Sequence, residues 1–165
     1  MQRAMRFCSA LFLVLVCAVA QAFPDKTVVL VVPFTASSGS DIIARILAPK
    51  LSERWKRPVI VDNKPGASGN LGAQFVAQAA PDGHTLLMAI NTLTMTPAIY
   101  KNMPYDPTTD FSPVLRLTEA NYALAVHPSV NAKDLNELVQ VSKKSAGKMN
   151  YGSPGNGTPH HLAME

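Results

Sequence analysis

Two loops of this sequence combine glycine and hydroxyl residues in a way that suits the binding of a small anion. One runs from Phe34 to Asp41 and the other from Ser153 to Thr158, each between an apolar segment and a predicted helix. Such loops direct free backbone N–H groups, and the positive end of a helix dipole, at whatever lies above the strand. Each loop alone also fits an ordinary strand-to-helix turn, so the pattern indicates anion binding without requiring it.

Other residues that could bind a ligand or take part in catalysis show weaker patterns. The glycines from Gly66 to Gly72 have the spacing G-x-x-G-x-x-G, which is not that of a dinucleotide site. We interpret them as structural, because glycine permits a tight turn and close helix–strand packing. His160 and His161 are adjacent, so on a helix they do not point at one metal ion. The sequence therefore predicts neither a metal nor a cofactor.

A secreted hydrolase is an alternative interpretation of the first loop. Its nucleophile would be one of three serines, Ser37, Ser38 or Ser40. Activation of a serine requires an adjacent general base, and no residue with suitable spacing supplies one. The sequence thus favours binding over catalysis, and we expect that the protein is not an enzyme.

The elements that position these loops alternate between strands and helices. Continuous apolar, β-branched runs at Val28–Val32 and Val59–Val61 predict strands buried on both faces, and Thr85–Ala89 predicts a third strand. A helix is predicted in each interval, the second one ending near Ala79. This alternation predicts an α/β fold with a parallel sheet and right-handed crossovers.

The first helix is predicted to run from Asp41 to Trp55, with Ser40 as its N-cap. Pro49 lies inside this helix, and we expect it to kink the helix or end it early because proline removes one backbone hydrogen bond. The predicted apolar face consists of Ile42, Ile43, Ile46, Leu47 and Leu51.

The alternation breaks in the second part of the chain. Pro113–Leu117 and Tyr122–Val126 resemble two strands with little room for a helix between them, so we predict a first lobe over residues 23–118 and a second lobe from residue 119. A helix opening at Asn131, a short strand at Met149–Gly152 and a last helix beginning at Pro159 follow.

The first 22 residues have the organisation of a secretory signal peptide. Arg3 and Arg6 precede an apolar run from Phe7 to Ala20, and a small-residue cleavage site ends at Ala22. The run of about 14 apolar residues is shorter than the roughly 20 that a membrane-spanning helix needs. We therefore expect cleavage after residue 22 and a periplasmic protein; a lipoprotein modified at Cys17 is the alternative.

Charge and cysteine content change once that segment is set aside. The 165 residues include 15 Lys and Arg against 11 Asp and Glu, and loss of Arg3 and Arg6 lowers the net charge from +4 to +2. The sequence has no basic stripe with interleaved aromatic residues, which disfavours nucleic acid as a partner. Both cysteines, Cys8 and Cys17, lie in the predicted signal, so the mature chain has no disulfide.

Five motifs follow one another over nearly all of the predicted mature chain: Val31-Val32-Pro33-Phe34 with Asp41-Ile42, Asn63 to Gly72, Ala80 to Leu87, Tyr105-Asp106 with Asp110-Phe111, and Asn150 to Ser153 with Gly155 to Thr158 and His161 to Ala163. In this order they resemble the Bug-type extracytoplasmic solute receptors, the substrate-binding proteins of tripartite tricarboxylate transporters. The resemblance implies a periplasmic-binding-protein-like Venus flytrap with two βα lobes and the ligand in the cleft. It also implies that the first lobe is largely present here and the second is incomplete.

The resemblance implies a small carboxylate as ligand, membrane permease subunits as partners and a monomer at full length. Ser37 occupies a position where the family usually has glycine, so its side chain either blocks a carboxylate or donates its hydroxyl to one. The implied ligand-binding residues are Phe34, Ser37, Ser38, Gly39, Ser40 and Asp41 in the first loop, Asn91 and Thr92 after the third strand, and Gly155, Asn156, Gly157, Thr158 and His161 in and after the second loop.

Two further interpretations share this scaffold. One is a solute sensor that passes its signal to a membrane kinase, which the genes beside this one would distinguish from a transport receptor. The other is a non-functional truncated fragment, because the resemblance implies relatives longer than this chain. We expect such a fragment to leave apolar sheet faces uncovered and to be poorly soluble.

Overall fold

The structure, a computed structural model, describes residues 22–165. The predicted signal peptide, except for Ala22, lies outside the described residues. The chain divides into two compact units, Met1–Ile90 and Asn91–Glu165, which we call the first and the second unit. The lobe boundary near residue 118 stays a prediction. Across residues 22–165, no helix has both the length and the apolar character needed to cross a membrane.

A parallel sheet forms the centre of the first unit. Its strands within the described residues are β1 (Val28–Val32), β2 (Val59–Asn63) and β3 (Thr85–Leu87), in the order β2-β1-β3. The central strand β1 is the most buried, as its continuous β-branched run predicts. The parallel sheet confirms the predicted α/β fold. Because the strands are parallel, their carboxyl ends share one edge, where Val32 is paired with Asn63.

Helix α1 (Gly39–Trp55) packs one side against this sheet, with Ala44 and Ala48 buried. The partly buried apolar residues of α1 that pack against the core are Ile43, Leu47, Leu51 and Trp55. The prediction that Ile42 and Ile46 share this face is wrong, because their side chains are 53% and 56% exposed. At about 100° per residue the five predicted positions cover half of the helix circumference. The sheet contacts only part of that half, together with the adjacent side of the helix that carries Ala44 and Ala48, whose small side chains permit close approach.

The start of α1 also differs from the prediction, while its end at Trp55 agrees with it. The N-cap is Ser38 rather than Ser40, because Ser38 has the extended backbone of a cap and its Oγ accepts the Asp41 N–H at 3.4 Å. Pro49 does not end the helix, which continues to Trp55. The packing of α1 on the sheet stabilises the helix and so offsets the loss of the hydrogen bond that the proline removes.

A 3₁₀ turn at Ala67–Gly69 leads into helix α2 (Asn70–Ala77). Gly72 in this helix lies directly against the end of β1. A Cβ atom on Gly72 would be 2.7 Å from the Cβ of Pro33 and 2.9 Å from the carbonyl oxygen of Lys64. Only glycine permits so close an approach, which confirms the structural interpretation of this glycine run.

The helices of the second unit are α3 (Thr92–Met95), α4 (Leu135–Lys144) and α5 (Pro159–Leu162), with a 3₁₀ turn at Thr96–Ala98. Helix α5 begins at Pro159, as predicted. Helix α4 begins later than the predicted Asn131, because Asp134 is its N-cap and accepts the Glu137 N–H at 2.9 Å. The Glu137 carboxylate in turn accepts the Lys133 N–H at 2.7 Å, which completes a reciprocal capping arrangement.

The strands predicted in the second unit are not formed. Pro113–Leu117, Tyr122–Val126 and Met149–Gly152 take part in no sheet of the described residues. Val114 and Leu115 are 83% and 73% exposed. A strand needs a neighbour that accepts and donates its backbone hydrogen bonds, and apolar character alone does not supply one.

Candidate functional site

The first predicted loop joins the buried end of β1 to α1. The Thr35 carbonyl accepts the Ser38 N–H at 3.2 Å, which closes a turn before the helix begins. The N–H groups of Gly39 and Ser40 have no acceptor in the described residues, since the first N–H groups of any helix lack one within the helix. A Cβ atom on Gly39 would meet nothing within 4 Å. The start of α1 therefore has two N–H donors without an acceptor in the described residues, one of them at the exposed Gly39.

Asp41 holds this loop in place and is only 2% exposed. Its Oδ2 accepts the Ser37 N–H at 2.8 Å and the Arg45 Nε–H at 2.9 Å. Its Oδ1 accepts a hydrogen bond from Asn63 Nδ2 at 2.9 Å. Both carboxylate oxygens are thus engaged within the protein, and Asp41 anchors the loop to α1 and β2.

Asn63 completes this network from the neighbouring strand. Its Nδ2 also donates to the Phe34 carbonyl at 3.1 Å, and its Oδ1 accepts from Arg45 Nη2 at 3.0 Å. Asn63 reaches the loop because it is paired with Val32 at the carboxyl edge of the sheet. The sequence analysis missed Arg45 and Asn63; the four-residue separation of Asp41 and Arg45 was the available signal.

The same network determines the charge of Asp41. Hydrogen bonds from Arg45, and then from Asn63 and Ser37, lower the pKa of Asp41 from its ordinary 3.8 to about 2. The Asp41 carboxylate raises the pKa of Arg45 in return. The two side chains stay ionised together, so the Arg45 charge balances the carboxylate that would otherwise repel an anion from the loop.

Ser37 has a left-handed backbone conformation, with φ of 67°. Glycine adopts this conformation without steric strain, whereas the Cβ atom of a serine is strained in it. The Ser37 N–H is bonded to Asp41, while the residue as a whole is exposed. Ser37 can therefore offer a ligand its hydroxyl but not its backbone N–H.

The second predicted loop is closed on itself by Thr158, which is 1% exposed. Its Oγ1 donates to the Gly155 carbonyl at 2.7 Å and accepts the His161 N–H at 3.4 Å, which caps α5. Gly155 and Gly157 have φ of 143° and 79°, a region that favours glycine. A Cβ atom on Gly157 would lie 2.9 Å from Cδ1 of Ile99. The loop therefore has a defined shape that depends on both glycines.

His161 and Asn156 also contribute to this loop. The Gly157 N–H donates to Nδ1 of His161 at 3.4 Å, so that nitrogen carries no proton in this arrangement. Asn156 is exposed, and its carbonyl accepts from the Tyr100 hydroxyl at 3.5 Å. Tyr100 was missed by the sequence analysis, and no spacing in the sequence pointed to it.

Asn91 and Thr92 lie at the start of α3 in the second unit. Thr92 is only 4% exposed, whereas Asn91 is exposed. The Tyr122 hydroxyl donates to Oδ1 of Asn91 at 3.1 Å, and the Tyr122 ring meets the His160 ring edge-on, with 4.7 Å between centroids. Tyr122, another residue that the sequence analysis missed, thus links Asn91 to the start of α5.

The interpretation of the loop serines as nucleophiles finds no support. The Ser38 hydroxyl caps α1 and lies 3.4 Å from the Ser40 hydroxyl. In the described part of the chain, no histidine or carboxylate side chain is hydrogen-bonded to either serine, as activation of a nucleophile requires. The same residues contain no group of three or more His, Cys, Asp or Glu side chains arranged to hold a metal ion.

This chain is similar in sequence to transporter receptors. The family described as "Tripartite tricarboxylate transporter family receptor" matches residues 43–165. A UPF0065 protein of Bordetella pertussis is 42% identical over 147 residues, which cover 88% of this chain and 45% of that protein. The chain thus spans a little under half the length of the curated relatives it matches.

Solved structures share the fold. R. palustris Rpa4515 with adipate is 33% identical, with a TM-score of 0.79 over 86% of this chain and 48% of that chain. The periplasmic binding protein BugD is 29% identical, with a TM-score of 0.67 over the same shares. MatC from Rhodopseudomonas palustris, with bound malate, is 34% identical, with a TM-score of 0.65 over 74% of this chain and 42% of that chain.

These similarities agree with the α/β fold and its parallel sheet described above. The matching family consists of periplasmic solute-binding receptors, which are not enzymes. Its match extends over most of the described residues, from Ile43 in α1 through the second loop to residue 165. The chain belongs to the tripartite tricarboxylate transporter receptor family.

Proposed function

We propose that this protein is a receptor for a small carboxylate, which it binds without covalent chemistry. The observation that carries the proposal is the start of α1, where the N–H groups of Gly39 and Ser40 have no acceptor in the described residues and Gly39 is exposed. Two such donors at the positive end of a 17-residue helix match the two oxygens of a carboxylate.

The predicted residues of the first loop from Ser37 to Asp41 each have a definite role in this proposal. Gly39 and Ser40 donate their backbone N–H groups, and Ser37 offers a hydroxyl. Ser38 caps the helix and so holds both donors in place. Asp41 does not contact the carboxylate in this proposal; it fixes the loop by accepting the Ser37 N–H, and Arg45 balances its charge.

The second loop has a complementary set of roles. Thr158 and the glycines give the loop its shape, and His161 holds the Gly157 N–H. Asn156 and Asn91 are the exposed residues of this set, and we propose that they contact the solute directly. Thr92 is buried and supports Asn91 from within α3.

The ligands of the solved relatives support the chemical class. Rpa4515 was solved with adipate and MatC with malate, both of them dicarboxylates. Family membership further supports a role in uptake, in which membrane permease subunits of a tripartite transporter receive the solute from a periplasmic receptor that is monomeric at full length.

Titration of the protein with adipate, malate and citrate tests the proposal, with binding followed by calorimetry or by NMR shifts. We expect saturable binding of at least one of them. Failure of a folded protein to bind any of the three would contradict the proposed function.

The residue Gly39 offers a matched pair of variants for the site itself. Gly39→Pro removes one N–H donor at the first helical position, where proline is well tolerated, and the extended backbone of Ser38 suits a following proline. Gly39→Ala adds a side chain at the same position but keeps the N–H. Loss of a hydrogen bond to a charged ligand predicts binding that is about tenfold or more weaker for Gly39→Pro than for Gly39→Ala. Equal affinities would exclude the Gly39 N–H from the site.

A further inference from the structure

We propose that Tyr122 is a positioning residue that orients the side-chain amide of Asn91 so that its NH₂ group, and not its oxygen, faces the solute. This inference rests on the proposed carboxylate function and names the residue that gives Asn91 its preference for a negatively charged acceptor. Tyr122 belongs to a segment that the sequence analysis interpreted only as a strand.

The geometry of the contact determines what Asn91 has left to offer. The Tyr122 hydroxyl donates to Oδ1 of Asn91 at 3.1 Å. The Asn91 main-chain carbonyl is engaged separately, because it accepts the Thr94 N–H at 3.2 Å and the Thr94 hydroxyl at 3.0 Å. Within the described residues the Asn91 side chain makes no other hydrogen bond, so both N–H groups of Nδ2 are available to a ligand.

This orientation has a direct consequence for selectivity. An asparagine amide whose oxygen is held by a donor on one side presents its NH₂ group on the other, and such donors bind the oxygens of a carboxylate. An asparagine free to rotate would present its oxygen equally well to the NH₂ group of an amide. A fixed Asn91 therefore favours a carboxylate over the uncharged amide of the same shape.

Tyr122 is itself held by its ring, and so can act on Asn91 as a fixed donor. The ring packs edge-on against His160 with 4.7 Å between centroids and an interplanar angle of 80°. Such aromatic pairs have a preferred geometry, so the ring restricts where the hydroxyl can lie. His160 lies in α5, directly after the second loop, which ties the orientation of Asn91 to that loop.

Substitution of Tyr122 by phenylalanine tests the proposal on the full chain, because it keeps the ring and its His160 contact but removes the hydroxyl. Tyr151→Phe is the matched control, since it removes the hydroxyl of another exposed tyrosine, whose partner is Glu165. The probes are adipate and its uncharged diamide, adipamide. Loss of one oriented hydrogen-bond donor predicts adipate binding about three- to tenfold weaker in Tyr122→Phe, with a lower ratio of adipate to adipamide affinity.

A second measurement needs no ligand. The Asn91 side-chain NH₂ resonances are assigned with Asn91→Ala. They should shift in Tyr122→Phe and stay unchanged in Tyr151→Phe, while the backbone resonances of each variant remain those of a folded protein. Unchanged Asn91 resonances, or an unchanged ratio of adipate to adipamide affinity, would overturn the proposal. If the unsubstituted protein binds neither probe, the carboxylate function fails, and the resonances still decide whether Tyr122 holds Asn91.

Discussion

The carboxylate of Asp41, in the first turn of α1, accepts the backbone N–H of Ser37, which lies just before the helix, at 2.8 Å. This bond holds Ser37 in a left-handed conformation and takes its N–H away from solvent. The loop consequently keeps its shape through a buried acid, while the N–H groups of Gly39 and Ser40 stay open. A single residue in α1 thus determines which backbone donors the loop presents.

The first prediction concerns the pH dependence that this bond produces. Because hydrogen bonds from Arg45, Asn63 and Ser37 lower the pKa of Asp41 to about 2 from 3.8, the ionised form is favoured by folding. Its contribution to the free energy of unfolding is complete above the ordinary pKa and is lost as the pH falls through about 2. Asp41→Asn should therefore be less stable at pH 7, and the difference should shrink as the pH falls from 4 toward 2.

Urea denaturation of the two proteins at a series of pH values measures this difference. Asp62→Asn serves as the control, since Asp62 is a partly exposed carboxylate paired only with Lys64 among the described residues. A gap between Asp41→Asn and the unsubstituted protein that stays constant down to pH 2 would show that the Asp41 charge plays no part in stability.

The second prediction distinguishes the two serines at the start of α1. Ser38→Ala removes the observed N-cap and should lower the free energy of unfolding by about 0.5–2 kcal/mol. Ser40→Ala leaves the Ser38 cap in place and should change stability by less than the Ser38 substitution. Chemical denaturation of both variants gives the comparison. A larger loss for Ser40→Ala would mean that the cap lies where the sequence analysis first placed it.

A third prediction follows from the close packing of Gly72 against Pro33. Gly72→Ala places a Cβ atom 2.7 Å from the Pro33 Cβ, so the end of β1 or α2 must shift. Overpacking of this kind costs about 1–3 kcal/mol. Gly152→Ala is the control, because a Cβ atom there meets nothing within 4 Å. Similar thermal midpoints for the two variants would contradict the packing described here.

A fourth prediction separates backbone strain from crowding in the second loop. Gly157 and Gly147 have nearly equal φ of 79° and 77°, but only Gly157 has a neighbour, Ile99, within 3 Å of an added Cβ atom. Gly147→Ala should lose about 1–2 kcal/mol from the left-handed conformation alone. Gly157→Ala should lose more, because Ile99 must also move. Denaturant titrations of the two variants compare these losses of stability. An equal loss would show that the contact with Ile99 contributes nothing.

The alternation of strands and helices in the first unit was predictable because it depends on local pattern. The apolar run Val28–Val32 has no polar position to expose, so it must lie in the middle of a layered fold. The glycine at position 72 was predictable as a packing residue for a similar reason, since a side chain is what close helix–strand contact excludes. Family motifs then pointed to the two loops.

The same reasoning failed where an element depends on a partner far away in sequence. Tyr122–Val126 has the residues of a strand, but a strand exists only beside another strand, and none in the described residues pairs with it. The N-cap of α1 is Ser38 and not the predicted Ser40, because the Asp41 carboxylate accepts hydrogen bonds from the Ser37 N–H and from Arg45. Such competition between nearby acceptors is not visible in a list of residue types.

The sequence by itself determined the fold class, because strand and helix periodicity acts over a few neighbouring positions. The order of its motifs, which resemble those of one family, indicated the family and the two candidate loops. Only the tertiary structure decided which side chains are hydrogen-bonded to one another. Parallel pairing of β1 and β2 brings Asn63 to Phe34 and Asp41, 22 residues away from the latter. The fold likewise brings Tyr122 to Asn91 across 31 residues. These hydrogen bonds depend on distances that sheet register and chain folding set, and no local pattern encodes them.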